Sequence, residues 1–258
     1  MEALFKERQD AIAAAERILI IGGGPVGMET AGEIAAHYGT TKQVTLVAAK
    51  GLMEDPNTPF SDKFKTAIKS KLESVGVTVA VNAGHVDLSQ ATTNDAGLIV
   101  GPATYKWQSG EGEFDLAIPC IGSRIVPPLI AASGWEDKLD GGSLKVNSNL
   151  QVDGCDGSVF ALGDIAALKE TKLAYYAGIQ AALTAQNIKA AEAGKPLKAY
   201  TLHTQATSMV PVGPNLGAAE MSGMLMGNFP VKMLKGKALF VPPTWAGVGA
   251  SAALAALK

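Results

Sequence analysis

Cysteine is almost missing from this chain: Cys120 and Cys155 are the two present, far apart, and form neither a C-x-x-C nor any closer dithiol pair. A local redox-active disulfide and a thiolate zinc site are therefore not indicated, and both side chains read as small, buried or half-buried packing residues. Histidine is equally sparse. His37, His85 and His203 stand alone, without metal-ligand spacing, so no metal centre is expected. Basic charge is lacking as well: the formal net charge is −2 and the Lys and Arg residues are scattered, which leaves no stripe for nucleic acid. No apolar run is long and clean enough to span a bilayer. Residues 1–16 lack the apolar core of a signal peptide, and Glu2 excludes an N-myristoyl site. The expected location is cytoplasmic.

What is present is abundant glycine and alanine in a chain that is 47% apolar, the profile of an α/β protein rather than a disordered or fibrous one. At 258 residues there is room for one large or two ordinary domains. The most informative stretch starts at Arg17, where Ile18-Leu19-Ile20-Ile21 run straight into Gly22, Gly24 and Gly27 at Gly-x-Gly-x-x-Gly spacing. Ile34, Ala35 and Tyr38 continue at helical spacing. This is the strand, tight turn and helix of a dinucleotide-binding unit. Gly22 lets the chain turn, Gly24 lets the backbone approach a pyrophosphate, and Gly27 lets the helix lie close on the strand. Free N–H groups around Val26 would face the phosphates. Pro25 suits a first helical turn because its missing N–H costs little there. The alternative is a purely structural βα turn.

Further along, residues 4–15 read as an amphipathic helix or linker, and Pro25 to Tyr38 as a helix ending near Gly39. Gln43 to Val47 is the next strand. A carboxylate that would bind the ribose hydroxyls of NAD is expected roughly 20 residues beyond the glycines. The strand ends instead in Ala48-Ala49-Lys50. Lys50 suits a 2′-phosphate, which leans the reading toward tolerance of NADPH; a solvated loop lysine is the alternative. Asp62 to Ser74 has the repeat of an amphipathic helix, and Val75 to Val81 follows as a strand. Residues 83–108 suggest a small antiparallel insertion, and Phe114 to Cys120 a buried strand delivering Ile121-Gly122 to a turn. This alternation predicts a Rossmann-like domain, a parallel sheet with helices on both faces.

Pro127-Pro128 and the turn at 140–142 mark a change of unit. Leu144 to Val152 reads as two short strands. In Val159-Phe160-Ala161-Leu162-Gly163-Asp164 an apolar strand ends in a carboxylate, at the edge where α/β sites lie. Asp164 as a cap of the next turn is the bland alternative. Lys172 to Ala193 is an Ala-rich helix. Tyr200 to Lys258 holds short strand-like pieces, a patch rich in methionine (Met209, Met221, Met224, Met226 and Met233) and a small-residue tail. The patch reads as core packing or as a quinone or membrane surface.

With both stretches in hand, the chain resembles the two-dinucleotide-binding-domain flavoprotein reductases, the pyridine nucleotide oxidoreductase family. Within it the likeness is to quinone reductases of the ferroptosis-suppressor type, relatives of the apoptosis-inducing factors and type II NADH dehydrogenases. The motifs that carry it are the glycine turn with Glu29 in its helix, Cys120-Ile121-Gly122, Val159 to Asp164, and Lys172-Leu173-Ala174-Tyr175. The resemblance implies NAD(P)H on Gly22, Gly24, Pro25, Val26 and Gly27, with Gly122 beside the cofactor and Glu29 near nicotinamide and flavin. It implies FAD on Gly163 and Asp164, with Lys172, Leu173, Ala174 and the helix they begin facing its pyrimidine edge. Hydride would pass from NAD(P)H through the flavin to a quinone-like small-molecule acceptor, with Glu29 and Lys172 as the catalytic residues. A helix-face carboxylate and a surface lysine are the alternatives for these two. Peripheral membrane contact follows by analogy alone.

Family members begin with another Rossmann unit, carrying its own Gly-x-Gly-x-x-Gly, and the resemblance implies that roughly a domain's length of about 100 residues is not represented before Arg17. The implied division is 1–16 helix or linker, 17–124 NAD(P)H-binding Rossmann domain, 125–198 the C-terminal half of an FAD-binding domain, and 199–258 a small α+β region. Three explanations stay open: a fragment, a homo-oligomer or partner supplying the rest, or loss of FAD binding. The competing function is a non-catalytic NAD(P)H-binding module without its own complete FAD site.

Overall fold

In the computed structural model, which describes residues 2–89, 91–122, 130 and 132–250, the apolar run Arg17–Ile21 forms strand β1 and is buried from Ile18 onward. Helix α1 (Glu2–Ala14) leads into it, and the Asp115 carboxylate receives the Arg17 backbone N–H at 2.8 Å. After the glycine turn come α2 (Pro25–Tyr38), β2 (Gln43–Val47), α3 (Asp62–Ser74), β3 (Thr78–Ala80), β4 (Ile99–Trp107) and β5 (Gly110–Pro119). The sheet order is β3-β2-β1-β5-β4, with β1 parallel to both β2 and β5, and β4 antiparallel at the edge. This is a mixed α/β fold around a mostly parallel sheet.

Alternation along β1 builds two cores. Ile18 and Ile20 point with Val44 and Leu46 toward Met28, Ile34, Phe64, Ile68 and Leu72 of the helices. Leu19 and Ile21 face the other way and meet Ala83, Tyr105, Phe114 and Ala117, not a helix. The expectation of helices on both faces is thus corrected: among the described residues, Ala83, Val86, Leu88, Ala91 and the β4–β5 hairpin cover the second face. Of the antiparallel insertion expected over 83–108, one strand forms at Ile99–Trp107, and its partner is the strand expected from Phe114, which begins earlier at Gly110. β4 changes register between Val100 and Ala103, where Pro102 has no N–H to give the ladder. The strand expected over 75–81 shortens to Thr78–Ala80 because Val75, Gly76 and Val77 use their N–H groups to close α3.

Strands β8 (Thr207–Val212), β9 (Leu216–Met221) and β10 (Met224–Met226) form a second, antiparallel sheet on the outer side of α2 and α3. A Cβ on Gly32 would lie 2.8 Å from Val212 Cα, so α2 packs backbone to backbone on β8. Buried Glu220 of β9 accepts from Ser61 Oγ at 2.8 Å while Ser61 caps α3. Short helices α5 (Asn228–Val231) and α6 (Val241–Gly247) follow. The described residues 206–250 therefore cluster with 2–55 and 59–122 as one unit.

The second unit comprises 56–58 and 123–205. Its elements are the short β6 (Leu139–Asp140) and β7 (Ser143–Leu144), a tight turn at Gly163–Ile165 and α4 (Ala174–Glu192) around a small core of Leu144, Val152, Ala161 and Ala166. The two strands expected within 144–152 reduce to β7 and a bridge between Val146 and Val152 around an Asn147 turn. The strand expected at 159–162 is likewise corrected. Its contacts are a single bridge from Phe160 to Gln151 and two bonds to the 150–152 segment, the backbone that lies alongside it. Pro127-Pro128 and the small-residue tail lie outside the described residues. Among those described, no helix is long and apolar enough to cross a membrane.

Candidate functional site

The glycine turn shows three different reasons for its three spaced glycines. Gly22 has φ +128° and a Cβ there would sit 2.3 Å from the Cys120 carbonyl oxygen. A Cβ on Gly27 would lie 2.1 Å from the Gly22 carbonyl oxygen, so this residue lets α2 close down on β1. Gly24 is different: a Cβ there would meet nothing within 4 Å. Its hydrogen faces open space at the head of α2, where Pro25 occupies the first turn and the first internal bond runs from Met28 N to the Gly24 carbonyl at 3.1 Å. The N–H groups of Val26 and Gly27 precede that bond. Val26 is 66% exposed, leaving the cradle accessible. Gly122 extends the same edge from the end of β5, with φ +93° and open space beyond it.

At the end of β2, Ala48 is buried and Lys50 is exposed. The Lys50 carbonyl accepts from Asn82 N at 2.8 Å, which fixes its backbone, and among the described residues no carboxylate pairs with its ammonium. Glu54, the nearby acid, is paired with Lys65 at 2.7 Å.

Glu29 projects from the second turn of α2 and is paired with Lys235 at 2.6 Å. Lys235 also donates to the Met209 carbonyl at 3.2 Å. Burial raises the Glu29 carboxyl above its ordinary value, and the Lys235 hydrogen bond opposes that rise. Glu33, one turn on, is raised by burial and by the Glu29 charge. Burial also pushes the Cys120 thiol up, against a hydrogen bond with Thr30. Lys235 escaped the sequence reading because it lies 206 residues from Glu29. A half-buried carboxylate in an apolar helix signals that a cation is needed, without saying which.

In the second unit, Gly163 has φ +71° and opens the turn that carries Asp164. Asp164 is exposed; its backbone carbonyl accepts from Ser143 Oγ at 3.3 Å, and among the described residues no hydrogen bond engages its carboxylate. A free carboxylate with Lys172 in electrostatic contact is a fitting acceptor for the hydroxyls of a polyol chain. Lys172 Nζ donates to the Ala166 carbonyl, and burial lowers its pKa. The helix expected from Lys172 begins two residues later: Leu173 is the cap and Ala174 the first residue of α4, whose first internal bond is Ala177 N to the Leu173 carbonyl.

A mostly parallel sheet with an open glycine cradle is the arrangement of a dinucleotide-binding fold. Comparison with known families agrees: residues 1–188 match the pyridine nucleotide-disulphide oxidoreductase model. The chain belongs to this family, flavoproteins whose cofactors are FAD and NAD(P)H. It is 33% identical to ferroptosis suppressor protein 1 of Xenopus tropicalis over 252 residues, covering 96% of this chain and 64% of that protein. It is 28% identical to apoptosis-inducing factor homolog B of Dictyostelium discoideum, covering 92% and 64% respectively. Among solved structures, the NADH-bound water-forming NADH oxidase of Lactobacillus brevis superposes with a TM-score of 0.57 at 26% identity, covering 84% of this chain and 44% of that one. The chain thus spans just under two thirds of the length of both relatives.

Proposed function

We propose that this chain carries the nucleotide-binding unit and the Asp164 flavin contact of an FAD-dependent oxidoreductase that passes hydride from NAD(P)H to a quinone-like acceptor. The observation that carries the reading is the open face at Gly24 between two glycines that have no room for a side chain. The Val26 and Gly27 N–H groups bind the pyrophosphate, helped by the dipole of α2. Lys50 receives a 2′-phosphate where one is present. The Asp164 carboxylate holds hydroxyls of the flavin side chain, and Lys172 with the head of α4 supplies positive potential at the ring. When bound, FAD supplies the hydride acceptor. Reduction of a quinone by two electrons also needs protons, and Glu29 Oε1 and Lys235 Nζ, in mutual hydrogen bond, can hold and exchange one.

Absorption spectra of the full chain with added FAD, then NADH or NADPH, then a soluble quinone, test this. Flavin bands that bleach with nucleotide and return with quinone are the expected result. Nucleotide binding with no flavin uptake would establish the second reading, a nucleotide-binding module. That reading is favoured by one observation: Val159 to Leu162 pairs through isolated bonds and not in a sheet.

A further inference from the structure

The second unit contains a buried polar chain whose far end lies on the Asp164 turn. Glu170 is 1% exposed and Gln180, in the second turn of α4, is 3% exposed. Gln180 Nε2 donates to Glu170 Oε1 at 2.7 Å, and its Oε1 accepts the Gly163 backbone N–H at 2.6 Å. Tyr200 OH donates to the same Glu170 oxygen at 2.9 Å, and the His203 backbone N–H to the other at 2.8 Å. The His203 ring lies stacked on Tyr176, in the first turn of α4, with its Nδ1 3.0 Å from Tyr200 OH.

Donor and acceptor counting makes this arrangement directional. Glu170 receives donors on both oxygens, so only an acceptor-only group satisfies all of them; an amide would set an NH₂ against either Gln180 and Tyr200 or His203. Because Glu170 accepts, Gln180 must turn its NH₂ toward it. The Gln180 carbonyl then has one direction left, toward Gly163. Gly163 sits at positive φ, and its N–H is held there as the turn begins. A half-buried donor that loses its partner releases the turn it holds, so the orientation of one amide decides whether the turn is held or released.

We propose that Glu170 is a positioning residue for the Asp164 site, acting through Gln180 on the Gly163 N–H to fix the turn that presents the ligand-binding carboxylate. Neither Glu170 nor Gln180 needs to touch the ligand. That the ligand is a flavin rests on the function proposed above; the relay to Gly163 does not.

The test exploits the polarity of the relay. In Glu170→Gln one donor meets an NH₂ whichever way the amide turns; turned toward Gln180 and Tyr200, it draws the Gln180 carbonyl away from Gly163. In the double swap Glu170→Gln with Gln180→Glu the chain runs in reverse: the residue 170 amide donates to the residue 180 carboxylate, whose second oxygen accepts from Gly163, while Tyr200 OH turns its proton to His203 Nδ1 and accepts from the amide. Amide hydrogen exchange at Gly163, read by ¹H–¹⁵N spectra of the full chain without ligand, is expected to speed up by about tenfold or more in E170Q and to recover in the swap. FAD affinity, read by flavin fluorescence, should follow the same order: weaker in E170Q, regained in the swap. A purely structural role for Glu170 predicts no recovery, since the swap repeats the E170Q change and adds another. Unchanged Gly163 exchange both in E170Q and in Glu170→Leu, which removes the acceptor of Gln180 outright, would overturn the relay. Altered exchange with unaltered FAD affinity would overturn its role at the Asp164 site. If the parent chain takes up no FAD while Gly163 responds and recovers, the relay stands and the flavin reading fails.

Discussion

Lys235 donates to Glu29 at 2.6 Å from 206 residues further along the chain, joining the last third of the sequence to the helix that begins at the glycine turn. Burial raises the Glu29 carboxyl, so between its unfolded and folded pKa the folded state binds more protons, and stability falls as pH rises through that window. Lys235 lowers the folded value and limits the loss. Lys235→Met therefore extends the window upward. Urea unfolding is expected to show a loss on the order of 1–2 kcal/mol at about pH 7.5, between the values of exposed and buried pairs, and a smaller loss at about pH 5. Equal losses at both would mean that packing of the lysine stem, not the charge, is what matters.

The cradle separates two glycines by their consequences. Gly27→Ala drives a methyl into the Gly22 carbonyl and should cost about 1–3 kcal/mol of stability. Gly24→Ala meets open space and should cost under about 1 kcal/mol, the difference between glycine and alanine at a helix cap. Yet it should weaken NADH and NADPH alike by about tenfold or more, because the added methyl would enter the open face proposed for the pyrophosphate. Thermal melts beside nucleotide titrations check both; undiminished affinity in G24A would move the nucleotide site elsewhere.

Nucleotide choice is expected to depend on Lys50. Lys50→Ala should weaken NADPH several-fold and leave NADH nearly unchanged, and the effect should shrink as salt is raised. Parallel titrations of the two nucleotides decide it: an unchanged ratio would make Lys50 an ordinary solvated lysine.

Asp115 anchors the start of β1 by accepting from the Arg17 backbone and guanidinium, and this holds its carboxyl down at about 2 against an ordinary 3.8. A depressed carboxylate contributes stability that is present above the unfolded pKa and lost as pH falls through the folded one. Asp115→Asn should remove that dependence. The acid limb of the unfolding curve, between about pH 4 and pH 2, is expected to be flatter in the variant than in the parent chain. Parallel limbs would place the acid sensitivity elsewhere.

The first unit was far more legible in the sequence than the second. β1, α2, β2 and α3 announce themselves because the burial that selects their residues is local and periodic: Ile18 and Ile20 against Leu19 and Ile21, Phe64 against Ile68 and Leu72. The cover on the second sheet face was not legible, because a β-hairpin and a loop satisfy the same apolar requirement as a helix. Val159 to Leu162 has strand composition, but a strand is defined by its neighbours, and here the neighbour is the short segment at 150–152. Within the site, the glycines were readable since backbone conformation and close approach dictate them. Lys235, Gln180 and Glu170 were not. Each acts through a partner brought near only by the tertiary fold, and nothing in its own sequence neighbourhood marks it.

The unit built from residues 2–55, 59–122 and 206–250 is discontinuous, and this bears on how it comes into being. During synthesis the Rossmann-type sheet and its helices emerge first, but the outer side of α2 and α3 stays uncovered until β8 and β9 are made. For the length of the intervening unit, the faces that will receive Val210, Val212 and Ala218 are exposed apolar surface. Such a nascent chain depends on its own late segment, and a ribosome stalled before β8 would display a surface suited to chaperones or to aggregation.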